Sequence, residues 1–150
     1  MIRMRRAAIL ALCCLLPACA TPNSAPVRTI QIVPTAALDA DLKRLDELVL
    51  RRDFLAVPTK RDRVESGAGP VDVLQSYEFR DRRTLKVSIG WELQYSRYRI
   101  FITDLRRNGP PARGLECRKY LELFEDVTKT FGPARVAPAP ERCDPLADGG

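Results

Sequence analysis

"LKVSIGWELQYSRYRIFI", residues 85–102, decides the fold. Leu85, Val87, Ile89, Trp91, Leu93 and Tyr95 alternate with Lys86, Ser88, Gly90, Glu92, Gln94 and Ser96. Successive side chains of a strand point to opposite faces, so this alternation reads as a strand covered on one face only. The apolar set then changes parity, passing to Tyr98, Ile100 and Ile102. One slipped residue reverses every side chain, so the change marks a turn or bulge, placed at "QYSR", residues 94–97. Upstream, Val71, Val73, Tyr77 and Phe79 alternate with Asp72, Ser76, Glu78 and Arg80, and "RDRRT" (80–84) joins the two segments. The expectation is a three-stranded antiparallel meander.

Helical periodicity flanks it. Between residues 36 and 53, Leu38, Leu42, Leu45, Val49 and Leu50 form one stripe; Thr35 stands ready as N-cap, and Arg51 and Arg52 suit the C-terminal end of the helix dipole. Residues 115–131 form the second helix, with Cys117, Tyr120, Leu121, Phe124, Val127, Thr128 and Phe131 spaced for one face and Gly132-Pro133 as the stop. Residues 59–70 read as a loop. Its Ser66-Gly67-Ala68-Gly69 lacks the Lys-Ser/Thr ending of a phosphate-binding loop. The expected class is α+β, ordered α-β-β-β-α, with a three-stranded antiparallel meander and two helices on one of its faces.

The first 18 residues belong to a different kind of segment. Arg3, Arg5 and Arg6 precede ten apolar residues, Ala7 to Leu16, and Pro17-Ala18 ends the run. This is the layout of a secretory signal peptide, and ten residues rise only about 15 Å as a helix, half of a bilayer core. "LPAC", residues 16–19, then resembles the lipobox of bacterial lipoproteins, with a branched apolar residue three positions before the cysteine and a small one directly before it. The resemblance implies lipid attachment at Cys19 and cleavage before it. Ala20 beside it implies, by the sorting rule of enterobacterial lipoproteins, the periplasmic face of the outer membrane. Ala18-Cys19-Ala20 also has the form of an ordinary signal-peptidase site, which would release a soluble periplasmic protein. Small assembly lipoproteins of the outer membrane are similar in size and anchor. Their two helices precede the strands, so nothing of their function is carried over.

The expected organisation is therefore a signal peptide over 1–18, a lipidated N-terminus and tether over 19–35, an α+β domain over 36–143 and a loose tail over 144–150. "IQIV" in the tether is a candidate edge strand. Cys117 and Cys143, the two cysteines beyond the leader and its lipobox, are expected to form a disulfide in an oxidising compartment.

The chain carries 25 Lys+Arg against 19 Asp+Glu. Setting aside the three leader arginines leaves 22 cations, a net charge of +3, too little to argue nucleic-acid binding. There is no histidine, which removes the usual general base and the commonest metal ligand. No metal or cofactor is expected. Glu116, Glu122, Glu125 and Asp126 could form a carboxylate pair for cell-wall hydrolysis, but Arg118, Lys119 and Lys129 interleave them as on a solvated helix face. Ser66 with Lys60, or Ser88 with Lys86, are the available serine–lysine pairs. Arg80, Arg82, Arg83, Arg97, Arg99, Arg106 and Arg107 cluster at the expected strand ends, divided between two ends by meander geometry. They are the candidate site for an anionic polymer, lipopolysaccharide or cell wall, or for an acidic protein loop. The expected function is that of a non-catalytic interaction or assembly module, held at the outer membrane and working with envelope proteins.

Overall fold

The computed structural model describes residues 27–60, 62–66, 69–105 and 113–138. In chain order the elements are β1 (Val27–Ile32), α1 (Leu38–Leu50), β2 (Phe54–Val57), β3 (Arg63–Ser66), β4 (Gly69–Phe79), β5 (Leu85–Glu92), β6 (Arg97–Asp104), α2 (Arg113–Phe131) and β7 (Val136–Ala137). The class is α+β. The sheet, however, has seven strands rather than three, all paired antiparallel in the order β2-β4-β5-β6-β1-β7, with β3 also on β4. β4, β5 and β6 are the strands the alternation pointed to. β1 falls inside the stretch read as tether and is no edge strand: it lies between β6 and β7. β2 and β3 lie end to end along β4, β3 on residues 69–72 and β2 on residues 76–79.

One face of the sheet carries the core. Ile30 and Ile32 of β1, Tyr77 and Phe79 of β4, Leu85, Val87 and Ile89 of β5, and Tyr98, Ile100 and Ile102 of β6 are buried in one cluster with Leu45, Leu48 and Val49 of α1 and Tyr120, Leu123, Val127 and Phe131 of α2. Leu38 and Leu50, read as part of the α1 stripe, are exposed, and Leu48 takes a core place instead. On α2, Leu123 is fully buried while Leu121 and Phe124 only flank the core. Thr35 does not cap α1 in the expected way. Its N–H and hydroxyl both donate to the buried carboxylate of Asp41, at 2.6 and 2.8 Å, and its hydroxyl accepts the N–H of Ala37. Among the described residues, no helix is long and apolar enough to cross a membrane.

A bulge between Val73 and Gln75 re-aims β4. Val71 and Val73 pair with Glu92 and Gly90 and so share the face opposite the core, whereas Tyr77 pairs with Val87 on the core face. On that second face a Cβ at Gly90 would collide with Val71 and lie 3.2 Å from the Asp72 carbonyl oxygen. Glycine there lets β4 and the Val71 side chain close onto β5.

Candidate functional site: the two ends of the sheet

The link between β5 and β6 is a four-residue turn, since Glu92 pairs with Arg97. Leu93, Gln94 and Tyr95 form a single 3₁₀ turn, and Ser96 closes it in the left-handed region with φ 49°, its N–H donating to the Leu93 carbonyl. The strand therefore ends two apolar residues earlier than the alternation implied. Leu93 is 66% exposed and Tyr95 50%, so neither belongs to the core. Arg97 stacks over the Tyr95 ring at 4.4 Å. The signal that could have found this was the inclusion of Tyr95 in both the alternation and the "QYSR" turn.

The base of the turn is fastened by charge. The Glu92 carboxylate is fully buried and accepts from Arg97 Nε at 2.6 Å and Arg99 Nη2 at 2.9 Å, one arginine on each oxygen. Two cations around one anion offset the cost of burying it, and each bond is charge-assisted. Arg99 is itself buried, 5.8 Å from the Phe101 ring. Both arginines, read from the sequence as candidates for an anionic ligand, are thus engaged within the protein.

The opposite end of the sheet carries Arg80, Arg82 and Arg83, in the turn joining β4 to β5. Asp81 holds this turn: its carboxylate accepts the N–H groups of Arg83 and Thr84 and the Thr84 hydroxyl. Arg82 adopts φ 55°, and its N–H donates to the Phe79 carbonyl at 2.6 Å. All three arginines are exposed; the Arg80 side chain, at 71%, reaches the Phe79 ring at 5.7 Å and Asp53 at 4.0 Å. The arginines accordingly divide between two ends about 20 Å apart along the strands, as the six-residue step from Lys86 to Glu92 sets at 3.3–3.4 Å each. Arg106 and Arg107 lie outside the described residues, as do Cys19 and Cys143. Cys117 is buried and disulfide-bonded.

The helix carboxylates are committed to ion pairs. Arg52 donates to both oxygens of Asp126, at 2.7 and 2.8 Å, which holds the Asp126 carboxyl below its ordinary range. Glu122 lies 3.1 Å from Lys119 and 3.7 Å from Arg52, and Glu125 lies 2.6 Å from Lys129. Glu116, read as outward-facing, is instead buried 3.0 Å from Arg28. Burial pushes its carboxyl up, Arg28 opposes this, and the charge of Asp104 adds to it. A hydrolytic pair needs one carboxyl that gives up a proton beside one that stays ionised. Glu122 and Asp126 instead share the same cationic partner. Lys86 and Ser88 are two apart on β5 and both half-buried; the Ser66 backbone pairs with Gly69. Among the described residues, no three His, Cys, Asp or Glu side chains gather as a metal site.

The chain matches no protein-family model, no curated protein and no solved structure.

Proposed function

We propose that the protein is a lipoprotein held by Cys19 at the periplasmic face of the outer membrane, and that its domain is a non-catalytic interaction module for envelope proteins. The leader and the lipobox-like "LPAC" support the address. The observation that carries the function is the β5–β6 turn, where Leu93 and Tyr95 stand exposed on a rigid base fastened by Glu92, Arg97 and Arg99. An exposed aromatic side chain on a rigid support is a recurrent element of binding hot spots. The turn also lies at the right end of the molecule. β1 begins at Val27 opposite Thr103, in the row of Lys86, so the tether enters about 20 Å along the strands from the turn. An anchored domain thereby presents the turn away from its own attachment point. Anchoring adds effective concentration near partners without any new contact.

The test is a photo-cross-linking residue placed at Leu93, and for comparison at Leu55 on β2, in intact cells. The reading expects a defined protein adduct from position 93 that disappears when Cys19 is replaced by Ala. An adduct pattern identical at both positions, or none at 93, contradicts it.

A further inference from the structure

We propose that the β4–β5 turn, with Arg80, Arg82 and Arg83, is a membrane-docking surface that lies against anionic phospholipid headgroups of the bilayer holding the anchor. The inference rests on lipidation at Cys19 and deepens that reading, because it sets which end of the domain faces the lipid. Three observations converge. The first is position: Val27, where the chain enters the sheet, sits in one cross-strand row with Thr103 and Lys86, and the arginine turn leads into Leu85 and Lys86 at that same end. Two strand spacings of about 4.8 Å separate β1 from β5, so the turn and the entry point are close neighbours. The second is reach: eight Cα steps join Cys19 to Val27, at most about 30 Å when fully extended, so this end of the domain cannot travel far from the bilayer.

The third is charge and rigidity. Arg80, Arg82 and Arg83 are exposed, and Asp81 orders the turn by accepting the Arg83 N–H, the Thr84 N–H and the Thr84 hydroxyl; counting the Asp81 charge, the turn carries a net +2, and Arg80 also lies 4.0 Å from Asp53. The cations are therefore carried on a turn that is already ordered before it meets a surface. Guanidinium groups match phosphate geometry with paired donors, so phosphodiester headgroups suit them. Each net positive charge brought to an anionic leaflet is worth about fivefold in affinity, so the net charge of the turn is worth on the order of 30-fold between anionic and neutral bilayers. The two ends of the sheet then divide the work: the arginine turn settles on lipid while Leu93 and Tyr95 face the periplasm.

The experiment uses the lipidated chain extracted from membranes and reconstituted in vesicles of neutral phosphatidylcholine, with or without anionic phosphatidylglycerol. One preparation carries a thiol-linked fluorophore in the variant Glu78→Cys, beside the arginine turn, and another in Leu93→Cys at the far turn. A short-range quencher sits on the headgroups. Flotation with the vesicles reads the anchor separately. Expected are strong quenching at position 78 and weak quenching at 93 on anionic vesicles, and a marked loss of that contrast on neutral vesicles, where the tether alone holds that end near the lipid. The same loss is expected in salt of about 0.5 M, where screening confines charge attraction to a few ångströms, and in the triple variant R80E/R82E/R83E. The lipid and salt comparisons need no variant at the turn, so they stand even if the triple variant folds poorly. Equal quenching at both positions on anionic vesicles, with flotation intact, overturns the docking surface and leaves the anchor standing. Failure to float overturns the anchor and the docking surface with it. Identical quenching on neutral and anionic lipid, together with arginine-dependent binding of added lipopolysaccharide, assigns the turn to a polymer and overturns the proposal.

Discussion

Arg97 and Arg99 hold opposite oxygens of one fully buried carboxylate, Glu92, at 2.6 and 2.9 Å. Their positions two residues apart on β6, facing a carboxylate on β5, follow from the antiparallel register in which Glu92 pairs with Arg97 and Gly90 with Arg99. The trio makes the base of the β5–β6 turn an electrostatic unit rather than a loose hairpin end. Replacing Glu92 by Gln leaves two guanidinium groups facing a neutral amide, and breaking buried pairs in this way costs about 3 kcal/mol. Urea unfolding of Glu92→Gln against the wild type measures it. A loss below about 0.5 kcal/mol would mean that the trio does not brace the turn.

Gly90 sits across from Arg99, and a Cβ there meets both Val71 and the backbone of Asp72. Because one of the two obstacles is backbone, the strain cannot be relieved by a rotamer change alone. Gly90→Ala is expected to destabilise by about 1–3 kcal/mol, the usual range for overpacking. In a Val71→Ala background part of that loss is recovered, so the two substitutions are non-additive. A double-mutant cycle by thermal unfolding reads the coupling.

Two carboxyls on α2 give opposite pH signatures. Arg52 holds the Asp126 carboxyl low, so the stabilisation by this pair is complete above the ordinary aspartate range and is lost as pH falls through the lowered folded value. Asp126→Asn should cost about 1 kcal/mol near pH 7, and the cost should shrink as pH falls below the ordinary aspartate range. Burial raises Glu116, so its ionisation works against the fold, and the penalty grows as pH rises from the ordinary glutamate value through the raised one. The stability of Glu116→Gln relative to wild type should therefore improve on going from about pH 4 to about pH 7. Melting curves across that range, with both variants in parallel, test the two signs together.

Leu93 is expected to separate stability from binding. Its side chain is 66% exposed, so Leu93→Ser should change stability by no more than about 0.5 kcal/mol. With a photo-cross-linking residue placed instead at the neighbouring Tyr95, the same substitution should abolish the partner adduct. Chemical denaturation and cross-linking on the same preparation decide whether the turn serves the fold or a partner.

What the sequence made legible followed from uninterrupted period. β5 and β6 could be read because Leu85 to Trp91 alternate strictly and Tyr98, Ile100 and Ile102 continue toward the same core face, although Phe101, Arg99 and Glu92 are buried on the other face, which the alternation did not foresee. The bulge in β4 hid its geometry. Val71, Val73, Tyr77 and Phe79 have the same parity in sequence yet lie on opposite faces, because the register slips between Val73 and Gln75. β2 and β3 are four residues each, too short for a period to register, and they exist only because the long β4 offers an edge to pair with. β7 has two residues and owes its pairing to β1. On α2, Leu121, Leu123 and Phe124 are equally apolar, so spacing alone could not say that Leu123 faces the sheet while the other two flank the core.

The candidate site was legible in composition but not in arrangement. The arginines stood out in the sequence, and their division between two ends followed from meander geometry. That Arg97 and Arg99 turn inward to Glu92 depends on a cross-strand register that no local pattern encodes. Leu93 and Tyr95 continued the alternation past the end of β5, and only the four-residue turn takes them out of the core.

Mass spectrometry of the N-terminal peptide from protein extracted from cell membranes tests the account most directly, because both the partner-facing and the lipid-facing ends are defined by the anchor. The account predicts a chain that begins at Cys19, carries a diacylglyceryl group on its thiol and is acylated on its amino group. A chain that begins at Thr21 without lipid, or one that retains the leader, would contradict it.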